Sequence, residues 1–546
     1  MLILEAGNVK KYYGDRLIIE FDELKVYIGD KIGIIGQNGA GKTTLMNILS
    51  GEVEPDEGFV RQYCNITYIR QFSDEMINAD QKILSEFNLS QKLNQKVYSG
   101  GEKTRIKIAN AFSNENLLLF ADEPTANLDY KGIELLKQKL YNIDSFLLIS
   151  HNRDLLDSLC NKIIEVREGK IKIYNGNYSA YKEQHELELR GAEQEYEKYI
   201  SEKTKLENAI KDRQNKSKSM KKAPRRMGNS EARLHKREAN EKQEKVDNAV
   251  NSLKTRLQKL EVKEKPRELP QIKLDFSLTN PPENKIVISA EKLNFSYGEK
   301  VIFNNAKFQI YKGSKTALWG ENGTGKTTLL NLIYKRFCED THKDIYIVPK
   351  ARIGYFHQNF ENLVYNKSVL ENVMMDSVQN QTVARTILAR LLISGDDVYK
   401  KVGVLSGGEK IKVSFAKLFV SAANVILLDE PTNYLDMKSI EALENVLGSY
   451  EGTVLFVSHD ISFVNAVADR LFVIENGTIG QFEGTLEEYM DRRNKMQTTD
   501  RTPVIDETER IALQMRIAEI VDKLSRGDGD KEALEAEYKR LIAHLK

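Results

Sequence analysis

Gly36-Gln37-Asn38-Gly39-Ala40-Gly41-Lys42-Thr43 and Gly320-Glu321-Asn322-Gly323-Thr324-Gly325-Lys326-Thr327 both read G-x-x-x-x-G-K-T. In such a loop the glycines let backbone N–H groups close on phosphate oxygens at a helix N-terminus, where the dipole favours anions. Lys42 and Lys326 are placed to contact the β- and γ-phosphates, and Thr43 and Thr327 to ligate Mg²⁺. Thr44 and Thr328 follow as further phosphate-binding candidates. Downstream of each loop come a Ser-Gly-Gly-Glu tetrad, an apolar strand ending Asp-Glu-Pro-Thr, and a Ser-His pair. Asp122 and Asp429 end those strands, the expected place for a carboxylate that meets Mg²⁺ directly or through water. Glu123 and Glu430 come next, positioned to orient or deprotonate an attacking water. One phosphate-loop match can be a chance glycine turn, but two full ordered series cannot. The chemistry indicated, twice over, is hydrolysis of ATP with Mg²⁺.

These residues need a scaffold that is itself repeated. Gly36 and Gly320 are 284 residues apart, whereas Ser99 and Ser406, like Glu123 and Glu430, are 307 apart. The second copy therefore holds 23 extra residues between loop and tetrad. Runs such as Ile32-Gly33-Ile34-Ile35 and Leu117-Leu118-Leu119-Phe120 read as buried strands separated by amphipathic helices. That alternation predicts an α/β fold, a largely parallel sheet covered by helices in each copy. The expected domains are residues 1–184 and 285–495, joined by a helical linker at 185–284 and followed by a helical extension at 496–546.

The linker changes character. Tyr196, Tyr199, Leu206 and Ile210 keep a helical stripe, and Val246, Val250, Leu253, Leu257 and Leu260 alternate spacings of four and three, a heptad seam. Pro224 and Gly228 interrupt helix between them. Two long helices pairing antiparallel are expected, with a tip near 213–235. Residues 211–237 hold eleven Lys or Arg against Asp212 and Glu231, a local charge of +9, while the arms at 185–210 and 238–264 sum to −3. A solvated linker would not need paired apolar seams to hold a cationic end far from the ATPase; contact with a polyanion fits better. At the C-terminus, residues 506–525 and 531–545 flank Gly527-Asp528-Gly529-Asp530, which suggests a small helical pair with a packing role.

Composition bounds the rest. A chain of 546 residues is long enough for two to four domains, each with its own core, and its net charge of +1 names no partner. Cys64, Cys160 and Cys338 form no metal or redox spacing and suit a reducing cytosol. No apolar run approaches a membrane span, and Met1-Leu2-Ile3-Leu4-Glu5 lacks a signal-peptide layout, so a soluble, cytoplasmic protein is expected.

The tetrads Ser99-Gly100-Gly101-Glu102 and Ser406-Gly407-Gly408-Glu409 resemble the signature of the ATP-binding-cassette superfamily. That resemblance implies two cassettes packed head to tail, each signature closing over the nucleotide held by the other. Lys42 would then share a site with Ser406 and Gly408, and Lys326 with Ser99 and Gly101. It also implies that Gln71 and Gln358 sense Mg²⁺ and water, that His151 and His459 are switch histidines, and that Asp129 and Asp436 are the D-loop aspartates. Tyr13 and Tyr297, each before a glycine, look like the aromatics that stack on adenine. The first copy departs from the pattern: Tyr98 precedes its signature serine, Asn152 follows its histidine, and its D-loop reads Thr125-Ala126-Asn127-Leu128-Asp129. None of these changes removes a catalytic group, but they allow the two sites to turn over at different rates.

Two cassettes joined by a basic hairpin resemble the ABC-F family of translation factors, and Tyr174-Asn175-Gly176-Asn177-Tyr178-Ser179-Ala180-Tyr181 is similar to that family's approach to its linker. The resemblance implies a monomer that binds the 70S ribosome at the E site, with the linker tip near 23S rRNA and the P-site tRNA and no transmembrane partner. The segment holding Lys221, Lys222, Arg225, Arg226, Met227, Arg233, Leu234 and Lys236 looks like the extended loop of antibiotic-resistance members. Those members protect ribosomes from drugs acting at the peptidyl-transferase centre or exit tunnel. Lys42 and Ser99 lie only 57 residues apart, against 80 in the second copy, which leaves little room for the arm insertion of housekeeping members. The expected sequence is ATP-driven closure, hairpin insertion with displacement of drug, and release on hydrolysis. Met227, Leu234 and Arg225 are expected to reach furthest towards the drug. A housekeeping ABC-F factor and a DNA-associated ABC ATPase are the alternatives.

Overall fold

The computed structural model describes residues 1–70, 86, 100–113, 117–126, 128–219, 229–263, 275–356, 362–499, 516, 517, 520 and 523; side chains at 216–243, 494 and 496–499 lie outside that description. The first cassette opens with the antiparallel pair β1 (Leu2–Tyr13) and β2 (Arg16–Tyr27). It continues through β3 (Lys31–Gly36), β4 (Glu57–Gln62), β5 (Ile66–Ile69), β6 (Leu118–Asp122), β7 (Phe146–Ile149), β8 (Lys162–Arg167) and β9 (Lys170–Asn175). One sheet runs in the order β4-β1-β2-β9-β8-β3-β7-β6-β5. Its centre is parallel, β3 between β7 and β8 and β6 between β5 and β7. The strand Leu118–Asp122 is buried at every position, as helices on both faces of a parallel sheet require.

The second cassette repeats the plan with β10 (Ile286–Tyr297), β11 (Lys300–Tyr311), β12 (Lys315–Trp319), β13 (Ile345–Ile347), β14 (Ile353–Phe356), β15 (Val425–Asp429), β16 (Thr453–Val457), β17 (Arg470–Glu475) and β18 (Thr478–Glu483). Here the antiparallel strands form a separate sheet, β11-β10-β13, beside the sheet β14-β15-β16-β12-β17-β18. The expected parallel sheet is the core of each cassette, with β12, β14, β15 and β16 in parallel register. The antiparallel flanks were not foreseen, because their strands mix buried with half-buried and exposed positions and leave no long apolar run.

Between the cassettes stand two helices, Tyr178–Ser219 and Asn229–Gln258. The first has 42 residues, about 63 Å at 1.5 Å rise per residue. Glu202 pairs with Arg256 and Glu195 with Lys263, so the helices run antiparallel. Leu206 and Val250, both from the apolar seams, are buried between them. The first helix starts at Tyr178, inside the segment assigned to the first domain, and both helices run closer to the turn than expected. Residues 192–219 contain neither Gly nor Pro, so nothing local stops the helix before the segment around Pro224. That turn, with Lys221, Lys222, Arg225, Arg226 and Met227, lies outside the described residues; Arg233, Leu234 and Lys236 fall on the returning helix.

Two compact units are present, Met1–Gln481 and Phe482–Lys546, and the first contains both cassettes and the hairpin. In the second, helix Leu486–Thr499 follows an edge-to-face contact of Phe482 with Tyr489. Of the expected C-terminal helical pair, only Arg516, Ile517, Ile520 and Lys523 are described, all helical.

Candidate nucleotide sites

Each phosphate loop delivers its chain into a helix whose first turn has no side-chain cap. Gly41 (φ 104°) and Gly325 (φ 106°) are left-handed N-caps of Lys42–Leu49 and Lys326–Glu339. A Cβ at Gly325 would come within 2.5 Å of Ile302 Cγ2, so glycine is required for both dihedral and space. The N–H groups of each first turn are left for an anion. Lys42 Nζ donates to the carbonyls of Gly36 (2.7 Å) and Gln37 (3.1 Å), and Lys326 Nζ to those of Gly320 and Glu321, both at 2.8 Å. The ammonium groups thus lie folded back over loops that also hold Gly39 and Gly323. Burial holds both lysines below the usual range.

The carboxylates sit where strand meets loop. Thr43 Oγ1 donates to Asp122 Oδ2 (2.8 Å), and Thr327 Oγ1 to Asp429 Oδ1 (3.2 Å), bringing together the oxygens that could hold Mg²⁺. Glu123 and Glu430 adopt left-handed backbone, φ 49° and 47°, a conformation that costs a non-glycine residue about 1–3 kcal/mol. Burial is the main force that raises Glu123 to about 8 and Glu430 to about 7; the neighbouring Asp122 and Asp429 push the same way. A carboxylate poised near neutrality suits proton transfer from water. His151 Nε2 lies 3.3 Å from Glu123 Oε1, and His459 Nε2 3.4 Å from Glu430 Oε1. Burial, then the facing lysine, depresses these histidines to about 3 and about 4, so both are neutral at pH 7.

The two cassettes meet head to tail across these residues. Asn38 donates its N–H to Asp436 Oδ2 (3.1 Å) and its Nδ2–H to the Tyr434 carbonyl (2.9 Å). Ser406, Gly407 and Gly408 line the same cavity as Lys42, Thr43 and Thr44. Gly408 approaches the interface so closely that a Cβ would meet the Tyr434 carbonyl at 3.1 Å and Asn38 Nδ2 at 3.4 Å. On the other side Asn322 N–H reaches Asp129 Oδ2 at 3.4 Å, and Lys326, Thr327 and Thr328 line the cavity opposite Thr125, Ala126 and Leu128. Gly100 and Gly101 open the helix Gly100–Phe112 of that facing cassette but are not among the lining residues. Tyr13 and Tyr297, each more than half exposed, line the same 1370 Å³ cavity. Gln71, Ser99 and Gln358 lie outside the described residues.

Sequence reasoning missed several contributors. Tyr434 (φ 65°) turns its carbonyl to Asn38 across the interface, which no local pattern announces. Ser406 and Glu409 form a capping box on the helix Gly407–Val420, legible as S-x-x-E but read above only as a signature. Arg105 Nη2 holds Asp129 Oδ1 at 2.7 Å, so the first D-loop aspartate is fixed by its own signature helix.

The residues present fit a magnesium nucleotide: uncapped helix termini, buried lysines, Thr–Asp oxygen pairs, and a buried Glu123 Oε1 without a hydrogen-bond partner among the described residues. Bound ATP would supply the phosphoryl group, and Mg²⁺ would neutralise its charge. The loops can bind and orient phosphates, Ser406, Gly407 and Gly408 can cover the first site, and Glu123 or Glu430 can take a proton from water.

Comparison with known proteins agrees. The ABC transporter family profile matches residues 21–126 and 303–433. The erythromycin resistance ATP-binding protein MsrA of Staphylococcus epidermidis is 33% identical over 492 residues, covering 87% of this chain and 98% of its own. The ribosome protection protein VmlR of Bacillus subtilis is 29% identical, with 96% and 93% covered. Among solved structures, the archaeal ribosome recycling factor aABCE1, crystallised with stalk protein aP1, shares the fold at a TM-score of 0.60 and 20% identity, covering 90% of this chain and 92% of its own. Among the described residues no helix is long and apolar enough to cross a membrane. Twin nucleotide sites built head to tail in one chain, together with these relatives, establish that this ATPase belongs to the ABC-F type of tandem ATP-binding-cassette proteins.

Proposed function

We propose that the chain is an ATP-dependent ribosome-binding protein that protects the ribosome from drugs acting at the peptidyl-transferase centre or exit tunnel. The observation that carries this reading is the hairpin: two long paired helices from the cassettes to a segment of charge +9. A cationic end on a long rigid support suits the phosphates of rRNA and tRNA, with affinity set by the number of phosphates neutralised. The names of two relatives, one an erythromycin resistance protein and one a ribosome protection protein, favour the protective role. ATP closes the cassettes on Lys42 with Ser406 and Gly408, and on Lys326 with Ser99 and Gly101. Gln71 and Gln358 complete the Mg²⁺ surroundings. The hairpin enters the E site, and Arg225, Met227 and Leu234 displace drug by shifting tRNA and 23S rRNA rather than by transporting it.

The test is co-sedimentation of a Glu123→Gln, Glu430→Gln variant with 70S ribosomes. Retention in ATP and not in ADP is expected, together with a rise in the inhibitory concentration of a macrolide or pleuromutilin in cells expressing the parent chain. Retention without any change in drug susceptibility would leave a housekeeping translation factor. No retention, with hydrolysis verified as blocked, would remove the ribosome from the reading altogether.

A further inference from the structure

The helix Met437–Ser449 of the second cassette carries Lys438, Glu441 and Glu444 at spacings of three, one strip of one face. All three reach out of their own cassette. Lys438 Nζ bonds Glu165 Oε1 at 3.3 Å, Glu441 hydrogen-bonds the Tyr178 hydroxyl, and both Glu444 oxygens accept from Arg153 Nη1, at 3.0 and 3.1 Å. Their partners are the root of the hairpin and its supports. Tyr178 is the first residue of the hairpin helix, Glu165 also bonds Tyr181, and Arg153 opens the helix Arg153–Leu159 directly after His151 and Asn152. That short helix in turn holds the hairpin, because Asp157 Oδ1 accepts from the Ser179 N–H at 2.7 Å. At the other end of the strip stands Asp436, the N-cap, whose free oxygen accepts from Asn38 of the first phosphate loop.

The second site repeats only the contacts with the phosphate loop: Asp129 accepts from the Asn322 N–H, and the exposed Lys131 reaches Glu321, but among the described residues its strip has no bond to the hairpin root. By the same 307-residue offset the strip corresponds to Lys131, Glu134 and Lys137. Lys137 donates to Asp154 of its own cassette, and, counted from His151 and His459, which are 308 residues apart, Ile461 stands where Arg153 would be. Arg153 and Glu444 are each about 15% exposed, so their pair is well shielded from solvent, and Arg153 Nε and Nη2 are buried with no hydrogen-bond partner among the described residues. A shielded pair with donors to spare can exchange partners; Glu441 lies close enough to act on the same guanidinium.

We infer that this strip couples the first nucleotide site to the hairpin, with Arg153 as a positioning residue for both: closure over the first site sets the hairpin's direction, and closure over the second does so only indirectly. The inference does not depend on what the hairpin binds, so it stands or falls apart from the ribosomal reading.

Spin labels at Leu187→Cys on the hairpin and Val404→Cys on the second cassette, in a Cys64→Ser, Cys338→Ser background, report hairpin direction as a distance. The Glu123→Gln, Glu430→Gln chain should show an ATP-dependent change in that distance. Arg153→Met and Glu444→Gln should each abolish it. Turnover of the first site alone, measured in Glu430→Gln, should fall by at least about tenfold, as expected when a buried charge loses its partner, with a smaller loss at the second site measured in Glu123→Gln. The exchange Arg153→Glu with Glu444→Arg should restore both readouts. A distance change that survives both single variants, equal losses at the two sites, or failure of the exchange in a chain that melts like its parent would overturn the coupling. Absence of any ATP-dependent change in the parent would do so as well. Should a charge variant fail to fold, Tyr178→Phe, which deletes one hydroxyl, carries the same test.

Discussion

The first and second nucleotide sites share every catalytic residue type and differ in how those residues are held. At the second site Asn322 Oδ1 meets His459 Nε2 at 3.0 Å, within one cassette. At the first, the matching Asn38 turns to the opposite cassette and bonds Tyr434. Among the described residues His151 therefore has no asparagine partner, and its Nδ1 is buried without a hydrogen bond. The apolar seams differ too: Met437 joins the core of the first cassette with Ile35, whereas at the second interface Tyr130 meets Trp319 at a tilt, ring centroids 5.6 Å apart. The exposed Lys131–Glu321 pair there contributes little, since solvent screens it. The first site is thus tied to its neighbour through the asparagine side chain, the second through a backbone bond to Asp129, a ring contact and an internally braced histidine. Identical chemistry can carry different control when only the interface side chains diverge.

The most severe way to probe this comparison is to remove the bases. Glu123→Gln with Glu430→Gln should lower phosphate release by about 10²–10⁴-fold, the usual worth of a general base. The single variants apportion turnover between sites, and equal residual rates would sink the claim of unequal control. Next come the loop glycines. Gly41→Ala and Gly325→Ala impose left-handed backbone on an alanine, a strain of about 1–3 kcal/mol, so ATP affinity at the altered site should fall roughly tenfold or more by equilibrium binding. Gly325→Ala should be the worse, because its Cβ meets Ile302 at 2.5 Å whereas that of Gly41 meets the Ile18 carbonyl at 3.0 Å.

A gentler test separates the asparagines. Asn38→Ala loses one interface hydrogen bond, about 0.5–1.5 kcal/mol, and should weaken ATP-driven closure severalfold in a distance assay. Asn322→Ala should leave closure near the parent value and instead slow turnover at the second site. If both variants behave alike, the contrast drawn here fails. The smallest effect is expected at the D-loops. Arg105→Ala leaves Asp129 with only the Gly132 N–H on Oδ1, whereas Lys412→Ala, which removes a charge acting on Asp436, leaves that carboxylate held by both the N–H and the hydroxyl of Ser439. A two- to fivefold loss for the former and under twofold for the latter are the expected changes in steady-state rate.

Much of this was legible beforehand. The phosphate loops declare themselves because glycine dihedrals and a Lys-Thr pair are local properties of eight residues. The central strands declare themselves because burial on both faces writes a continuous apolar run. The hairpin seams follow from heptad spacing, and Leu206 and Val250 are its buried members. The flanking sheets were less visible: an antiparallel strand such as β1 mixes Lys10, Lys11 and Tyr12 with its apolar residues, and pattern alone does not fix its partners. Glu409 as a capping residue was readable from S-x-x-E but was absorbed into the signature.

By itself the sequence determined the duplicated ATPase chemistry, the α/β core of each copy and the cationic helical connection, since each rests on residues close together in the chain. Which groups share a site across the cassettes was decided only by tertiary structure. Asn38 and Asp436 are 398 positions apart, and Arg153 and Glu444 are 291 apart. No periodicity or propensity spans such distances; the pairings arise when two complete cores have already formed and dock, and the buried side chains at that surface find the partners that satisfy them.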